Sequence, residues 1–193
     1  YTTKAIITWG VGPFKNNHPK VEYRQFSNEH AMLSDFSQWW EDNMPDVVTG
    51  WNIQLFDIPY LVGRIDRVLG EKRCRRFSPW GLVSEKELFI KGKKYKTYDV
   101  GGITQLDYLE LYRKFTYTNQ ESYRLDHIAY VELGQKKSGN PYETFRDWYT
   151  KDFQSFIEYN IQDVELVDRL EDKMRLIELC LTMAYDAKGL PDF

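Results

Sequence analysis

Residues 47–61, VVTGWNIQLFDIPYL, change character in mid-stretch. The short apolar run VVTGW reads as a buried strand, and after Asp57 the segment PYLVGRIDRVLG reads as a helix with Pro59 in its first turn and Gly70 just past its end. A buried strand that feeds an amphipathic helix calls for layered α/β packing, because both elements have apolar faces to cover. Asn52 and Asp57 stand at the join, where α/β sheets open their ligand crevices. Each residue also has a structural reading: Asp57 as a capping residue near the helix start, Asn52 as the completion of a turn.

The flanking sequence supports the same class. AIITWGVG (5–12) and VEYRQF (21–26) read as paired strands of a meander, joined by a turn region with Pro13, Asn16, Asn17 and Pro19. Ser27 or Asn28 caps an amphipathic helix whose Met32, Leu33, Phe36, Trp39 and Trp40 recur at helical spacing and predict core. ELFIKGKKYKTYDV has β-rich arms around a Lys-Gly-Lys-Lys tip, which predicts a projecting β-hairpin over about residues 86–99. GITQLDYLELYRKF reads as a strand passing into a helix near Asp107. Ser122 can cap a helix through YRLDHIAYVELG, and Gly134 to Pro141 form a polar connection. From about Thr150 onward, apolar residues between Phe153 and Ile177 repeat at three and four, for one helix or two consecutive ones. With no internal repeat or low-complexity linker, residues 1–193 are expected to form a single α/β domain.

Composition narrows the functional classes. The 193 residues are 42% apolar and 16% aromatic, enough for a substantial core, and the apolar runs are too short to span a bilayer. YTTKAIITWG lacks the regions of a signal peptide, so no membrane or secretory role is expected. Cys74 and Cys180, far apart in the chain, fit reduced thiols of a cytosolic protein rather than a disulfide framework or a zinc site. A net charge of -3 argues against binding nucleic acid by broad phosphate neutralisation. Two basic clusters are exceptions: Lys72, Arg73, Arg75 and Arg76, and the lysines 86, 91, 93, 94 and 96. Such runs are commonly solvated faces.

The final helical third carries a second constellation, YNIQD. Tyr159 and Asp163 are four residues apart, which on a helix puts phenol and carboxylate on one face. The other Tyr-x-x-x-Asp, Tyr95 to Asp99, falls in the predicted hairpin, where residues four apart lie roughly 13 Å from each other. A helical Tyr also has the alternative role of a partly buried core residue with a hydrogen-bonded hydroxyl.

Together, Asn-x-x-x-Phe-Asp at a strand-to-helix join and Tyr-x-x-x-Asp about a hundred residues later resemble the second and third exonuclease motifs of proofreading DNA polymerases. TGWNIQLFDIPYL, LDYLELYRKF, YNIQDVELV, RFSPWG and TNQESYRLDHIA are similar to the 3'-5' exonuclease domain of family B replicative DNA polymerases, in particular the branch from T-even-like bacteriophages. The resemblance covers nearly the whole chain. It implies an RNase-H-like α/β exonuclease fold with a mixed central sheet, flanking helices and the projecting hairpin.

The resemblance also implies a site. Asp57 and Asp163 would be two of four carboxylates holding two Mg²⁺ or Mn²⁺ ions, with Tyr159 orienting the attacking water. Asn52 and Phe56 would seat the terminal nucleotides, since stacking accepts any base. Lys91, Lys93 and Lys94 at the hairpin tip would hold backbone phosphates. The implied partners are the single-stranded 3' end of a DNA primer and the remainder of a polymerase chain, in the cytoplasm of a bacterial host if the chain is phage-derived. The family's first motif, Asp-x-Glu on a strand, should precede AIITWGVG. The chain's sole Asp-x-Glu is Asp163-Val164-Glu165, whose side chains diverge on a helix. The chain is therefore expected to be a truncated piece of a larger polymerase with weak or no activity of its own. The rival readings are a non-catalytic DNA-binding or interaction module on the same fold, and a free-standing nuclease unrelated to replication and completed by another chain.

Overall fold

Strands and helices alternate in the order β1 (Ile6–Val11), β2 (Val21–Phe26), α1 (Glu29–Asp42), β3 (Val47–Gly50), α2 (Asp57–Leu69), α3 (Glu71–Arg75), β4 (Val83–Ile90), β5 (Lys93–Val100), β6 (Thr104–Asp107), α4 (Tyr108–Phe115), α5 (Leu125–Leu133), α6 (Phe145–Lys151), α7 (Phe153–Met174) and α8 (Leu176–Asp186). This computed structural model describes residues 4–90, 92–135 and 141–187. The chain divides into two compact units, Tyr1–Met32 with Ser122–Leu170 and Leu33–Glu121 with Glu171–Phe193.

In the first unit β1 and β2 pair in parallel, from Ile6↔Val21 to Val11↔Phe26. This corrects the expected meander. Alternation of apolar residues fixes which face of a strand is buried but carries no information on its direction. The connection between the strands returns to the start of β1, and polar bonds hold it: Asn16 Nδ2 donates to Val21 O at 2.6 Å, and Gln154 on α7 accepts from the Lys15 N–H and donates to the Lys15 carbonyl. Tyr23 donates to Gly12 O at 2.7 Å. Its ring lies so close over Gly10 that a Cβ there would collide with the hydroxyl. Val21, Ile157 and Ile161 form the buried patch, with Ile6, Phe14, Tyr23, Phe153 and Phe156 packed on it. Further along the unit, α5 begins at Leu125 with Arg124 at its cap position. Ser122 accepts from the Arg124 N–H at 3.3 Å, so it closes the turn before the helix instead of capping it as expected.

In the second unit β3 and β6 pair in parallel, ending at Gly50↔Asp107, and β4 pairs antiparallel with β5 from Val83↔Val100 to Ile90↔Lys93. α2 buries Ile58, Val62 and Ile65. Trp40 of α1 stacks on Phe77, with ring centroids 4.2 Å apart, and donates from its indole to the Phe77 carbonyl at 3.0 Å. The helical run at the end of the chain is two helices, because Arg175 adopts a left-handed conformation, φ 53°, between α7 and α8. Glu171 makes that break tolerable: its carboxylate accepts from the Ile177 and Glu178 N–H groups and from the Tyr108 hydroxyl. Cys74 and Cys180 are both free and buried.

The order of elements is mixed α/β, as expected. The described strands nevertheless pair as three two-stranded sheets rather than one mixed central sheet. Periodicity identifies a strand, but its neighbours depend on contacts between distant residues. Among the described residues no helix is long and apolar enough to cross a membrane.

Candidate functional site

The sequence-predicted residues fall into two groups, one in each unit. Asn52, Phe56 and Asp57 belong to the turn after β3 in the second unit, and Tyr159 and Asp163 lie on α7 in the first.

The turn is built on a backbone conformation that few side chains adopt. Asn52 has φ 65°, a left-handed geometry that Asn accepts more readily than most residues. Its carbonyl accepts from the Leu55 and Phe56 N–H groups, and Ile53 O then accepts from Ile58 N, which leads the chain into α2. Ile53 is buried and anchors the loop in the core. Phe56 occupies the cap position of α2 without a side-chain cap bond, and Asp57 is the first helical residue. The carboxylate of Asp57 is exposed at the positive end of the helix, where a negative charge is stabilised. Phe56 and Tyr60, two-thirds exposed, flank it on either side in sequence. Tyr60 was not picked out from the sequence, although its spacing of four from Phe56 on a helix start was the available signal.

Beneath the turn lies a residue whose role the sequence did not disclose. Asp107, at the end of β6, is 5% exposed. Its Oδ1 accepts from the Asn52 N–H at 2.9 Å and from the Leu109 N–H at 3.1 Å, and its Oδ2 accepts from the Gln54 N–H at 3.2 Å. The Leu109 bond caps α4. Burial pushes the Asp107 pKa up, the three N–H donors pull it back, and nearby Glu110 adds a small upward push.

On α7, Tyr159 and Asp163 are both half-buried. Tyr159 packs in an edge-on arrangement with Trp148, with ring centroids 4.7 Å apart and planes at 62°, and the Phe145 ring centroid lies 6.3 Å away. Trp148 is 3% exposed and is fixed by its own polar edge. Its indole N–H donates to Ser155 Oγ at 2.6 Å, and Ser155 Oγ donates to Asp152 Oδ2 at 2.6 Å. The Ser155 hydroxyl and N–H hold the Asp152 pKa below its ordinary value. Trp148 lies on the seven-residue α6, too short for a helical period to reveal from sequence.

The basic clusters are partly neutralised where they stand. Arg73 and Arg76 pair with Glu41, and Arg75 with Glu71. Along the β4–β5 ladder Lys94 pairs with Glu87 and Lys96 with Glu85. Exposed pairs of this kind contribute little stability but reduce the net field available to a polyanion. Lys93 opens β5, and Lys91 lies outside the described residues. Among the described residues no group of three or more His, Cys, Asp or Glu side chains is placed to hold a metal ion. The donors at hand, an exposed Asp57 and a half-buried Asp163, are hard oxygen ligands of the type that Mg²⁺ and Mn²⁺ prefer.

Residues 7–128 match the family model described as DNA polymerase family B, exonuclease domain. The match includes the turn and Asp107 and ends before Tyr159. Among curated proteins, the DNA-directed DNA polymerase of Enterobacteria phage T4 is 39% identical over 170 residues, 88% of this chain. That of Escherichia phage RB69 is 37% identical over 171 residues, also 88% of this chain. The DNA polymerase delta catalytic subunit of Schizosaccharomyces pombe is 32% identical over 163 residues, 78% of this chain and 14% of that protein. The chain spans 19% of the length of each phage relative.

Proposed function

The chain belongs to the exonuclease-domain family of the family B DNA polymerases, and we propose that it works as the 3'-5' proofreading domain of such a polymerase, on an RNase-H-like fold. The observation that carries the site is the exposed Asp57 carboxylate at the start of α2, in the strand-to-helix connection after β3 and flanked in sequence by the exposed Phe56 and Tyr60. Asp57 and Asp163 hold divalent ions together with the carboxylates of an Asp-x-Glu strand, a motif this sequence does not carry ahead of β1. When bound, two such ions acidify the attacking water and stabilise the leaving oxygen.

The chain's own residues do the rest. The Tyr159 hydroxyl orients the water. Phe56 stacks on a terminal base without regard to its identity, and Asn52 helps to seat the nucleotide. Lys91, Lys93 and Lys94 contact backbone phosphates, and the β4–β5 ladder, as a projecting hairpin, keeps the primer end apart from its template. The primer's single-stranded 3' end and the rest of the polymerase are the partners, in the cytoplasm of a bacterial host if the chain is phage-derived. A non-catalytic DNA-binding module on the same fold is the second reading; Asp163 and Glu165, two residues apart on one helix, diverge and do not stand in for an Asp-x-Glu strand.

Digestion of 3'-labelled single-stranded DNA tests this proposal, comparing the 193-residue chain, a chain extended by an Asp-x-Glu strand, and the extended chain with Asp57→Ala. The extended chain is expected to digest in a Mg²⁺-dependent manner, the chain alone little, and Asp57→Ala to lose at least about a thousandfold. Undiminished digestion by the Asp57→Ala chain would remove Asp57 from the mechanism. No digestion by the extended chain, with DNA still bound, would leave the binding module.

A further inference from the structure

We propose that Asp107 is the positioning residue of the Asn52–Asp57 turn: its carboxylate, 55 residues away in sequence from Asn52, sets the backbone path that orients the Asp57 side chain. The functional weight of this assignment rests on the reading of Asp57 as a metal-binding carboxylate, but its geometry does not.

The argument begins with what a buried carboxylate needs. Asp107 is almost wholly removed from water, and among the described residues its partners are three main-chain N–H groups and no cation. A buried charge without a counter-ion is tolerated only where several donors replace its hydration. Capping α4 requires a single acceptor oxygen, and Ser or Thr would provide it at no cost in buried charge. The second oxygen, and the second bond of the first, go to Asn52 and Gln54. The turn is therefore what calls for a carboxylate at this position.

The consequence passes along the chain by successive bonds. Anchoring the Asn52 N–H holds that residue in its left-handed conformation, φ 65°. That conformation aims the Asn52 carbonyl at the Leu55 and Phe56 N–H groups. Phe56 is thereby set at φ -120° and ψ -66°, and Asp57 begins α2 immediately after it. Gly50, paired with Asp107 across the ladder, completes the device: a Cβ at Gly50 would press on the Ile53 methyl inside the turn.

The test separates capping from positioning. Asp107→Ser keeps an acceptor for the Leu109 N–H but is too short and has too few oxygens to serve Asn52 and Gln54. Asp107→Asn keeps the shape but turns an amide N–H₂ toward backbone donors, and serves as the second variant where Asp107→Ser folds poorly. Amide hydrogen exchange and residual dipolar couplings are measured by NMR on the 193-residue chain. Either variant is expected to speed exchange at Asn52 and Gln54 at least about tenfold and to change the Asp57 N–H coupling, while the amides of α4 slow or quicken less than about threefold in Asp107→Ser. Unchanged exchange at Asn52 and Gln54 overturns the proposal, and so does an unchanged Asp57 coupling, which would mean that the turn holds its shape without the carboxylate. A separate titration with Mn²⁺, read as broadening of the Asp57 amide in the unsubstituted chain and in Asp57→Ala, addresses the metal reading alone. Absence of any difference there removes the metal assignment and leaves the positioning result intact.

Discussion

The turn that carries Asp57 and the helix face that carries Tyr159 are held in opposite ways. The first hangs on a buried carboxylate that draws three main-chain N–H groups together. The second rests against a buried indole, which a hydroxyl backed by a half-buried carboxylate holds in place. The difference follows from what each must fix. A non-repetitive turn has backbone donors to satisfy, and only an acceptor at its centre can do so. A helix satisfies its own backbone, so a side chain on it needs only a steric neighbour to select its rotamer. Polar groups therefore shape the loop and apolar groups shape the helix face.

The largest effect that can break this comparison is Trp148→Ala. Removing a side chain that is 3% exposed leaves a cavity next to Tyr159, and urea unfolding is expected to show a loss of about 3–5 kcal/mol. The near-ultraviolet signal of the tyrosines should weaken in the folded state. A loss under about 1 kcal/mol would mean that Trp148 is not the support of Tyr159. Next in size is Asp107→Ala, which strips the acceptor from three N–H groups at once. The expected cost is about 2–3 kcal/mol, smaller because water can reach an opened turn and because a buried charge disappears with the side chain. A stabilising Asp107→Ala would show that the carboxylate's desolvation outweighs its bonds.

A finer cut divides the indole's apolar role from its polar one. Trp148→Phe retains most of the ring contact with Tyr159 but abandons the bond to Ser155, and is expected to cost about 1 kcal/mol, with Ser155→Ala costing a similar amount. Combined, the two should cost less than their sum, since they share the indole-to-hydroxyl bond while Ser155→Ala also removes the bond to Asp152. Full additivity would place Ser155 outside the network.

How far these two supports were legible in the sequence follows from their range. The strand-to-helix switch at residues 47–61 and the helical pairing of Tyr159 with Asp163 are local patterns, and the elements formed where periodicity put them. Asp107 was visible as the join of a strand and a helix, yet its tie to Asn52 exists only once β3 and β6 lie side by side. Trp148 stood beyond the polar connection, on a helix of two turns that leaves no period to read. The direction of β2 was lost for a related reason: Pro13 and Pro19 mark a turn region but not whether the chain doubles back before or after it. Arg175 ends a helix without the glycine that usually signals such a stop, because Glu171 supplies the acceptor from one turn earlier.

The subtlest expected difference is in pH dependence, where the two supports should have opposite signs. Asp107 has a folded-state pKa raised by burial, so the folded protein holds that proton more tightly than the unfolded chain. Its titration favours folding below the ordinary value of 3.8 and withdraws that contribution as pH rises through the raised value. Asp152, behind Trp148, has a pKa lowered by the Ser155 hydroxyl and N–H, and its contribution is present above 3.8 and lost as pH falls through the lowered value. Urea unfolding of the unsubstituted chain, Asp107→Asn and Asp152→Asn across acid to neutral pH isolates each term, since every other titrating group cancels in the difference. The stability of the unsubstituted chain relative to Asp107→Asn should decline as pH rises above about 4, and relative to Asp152→Asn it should decline as pH falls below about 4. Because Asp152 is only half-buried, screening by water keeps its change the smaller of the two. If both differences moved in the same direction, one of these carboxylates would be doing something other than what its surroundings dictate, and the contrast between a polar-held turn and an aromatic-held helix face would fail at that residue.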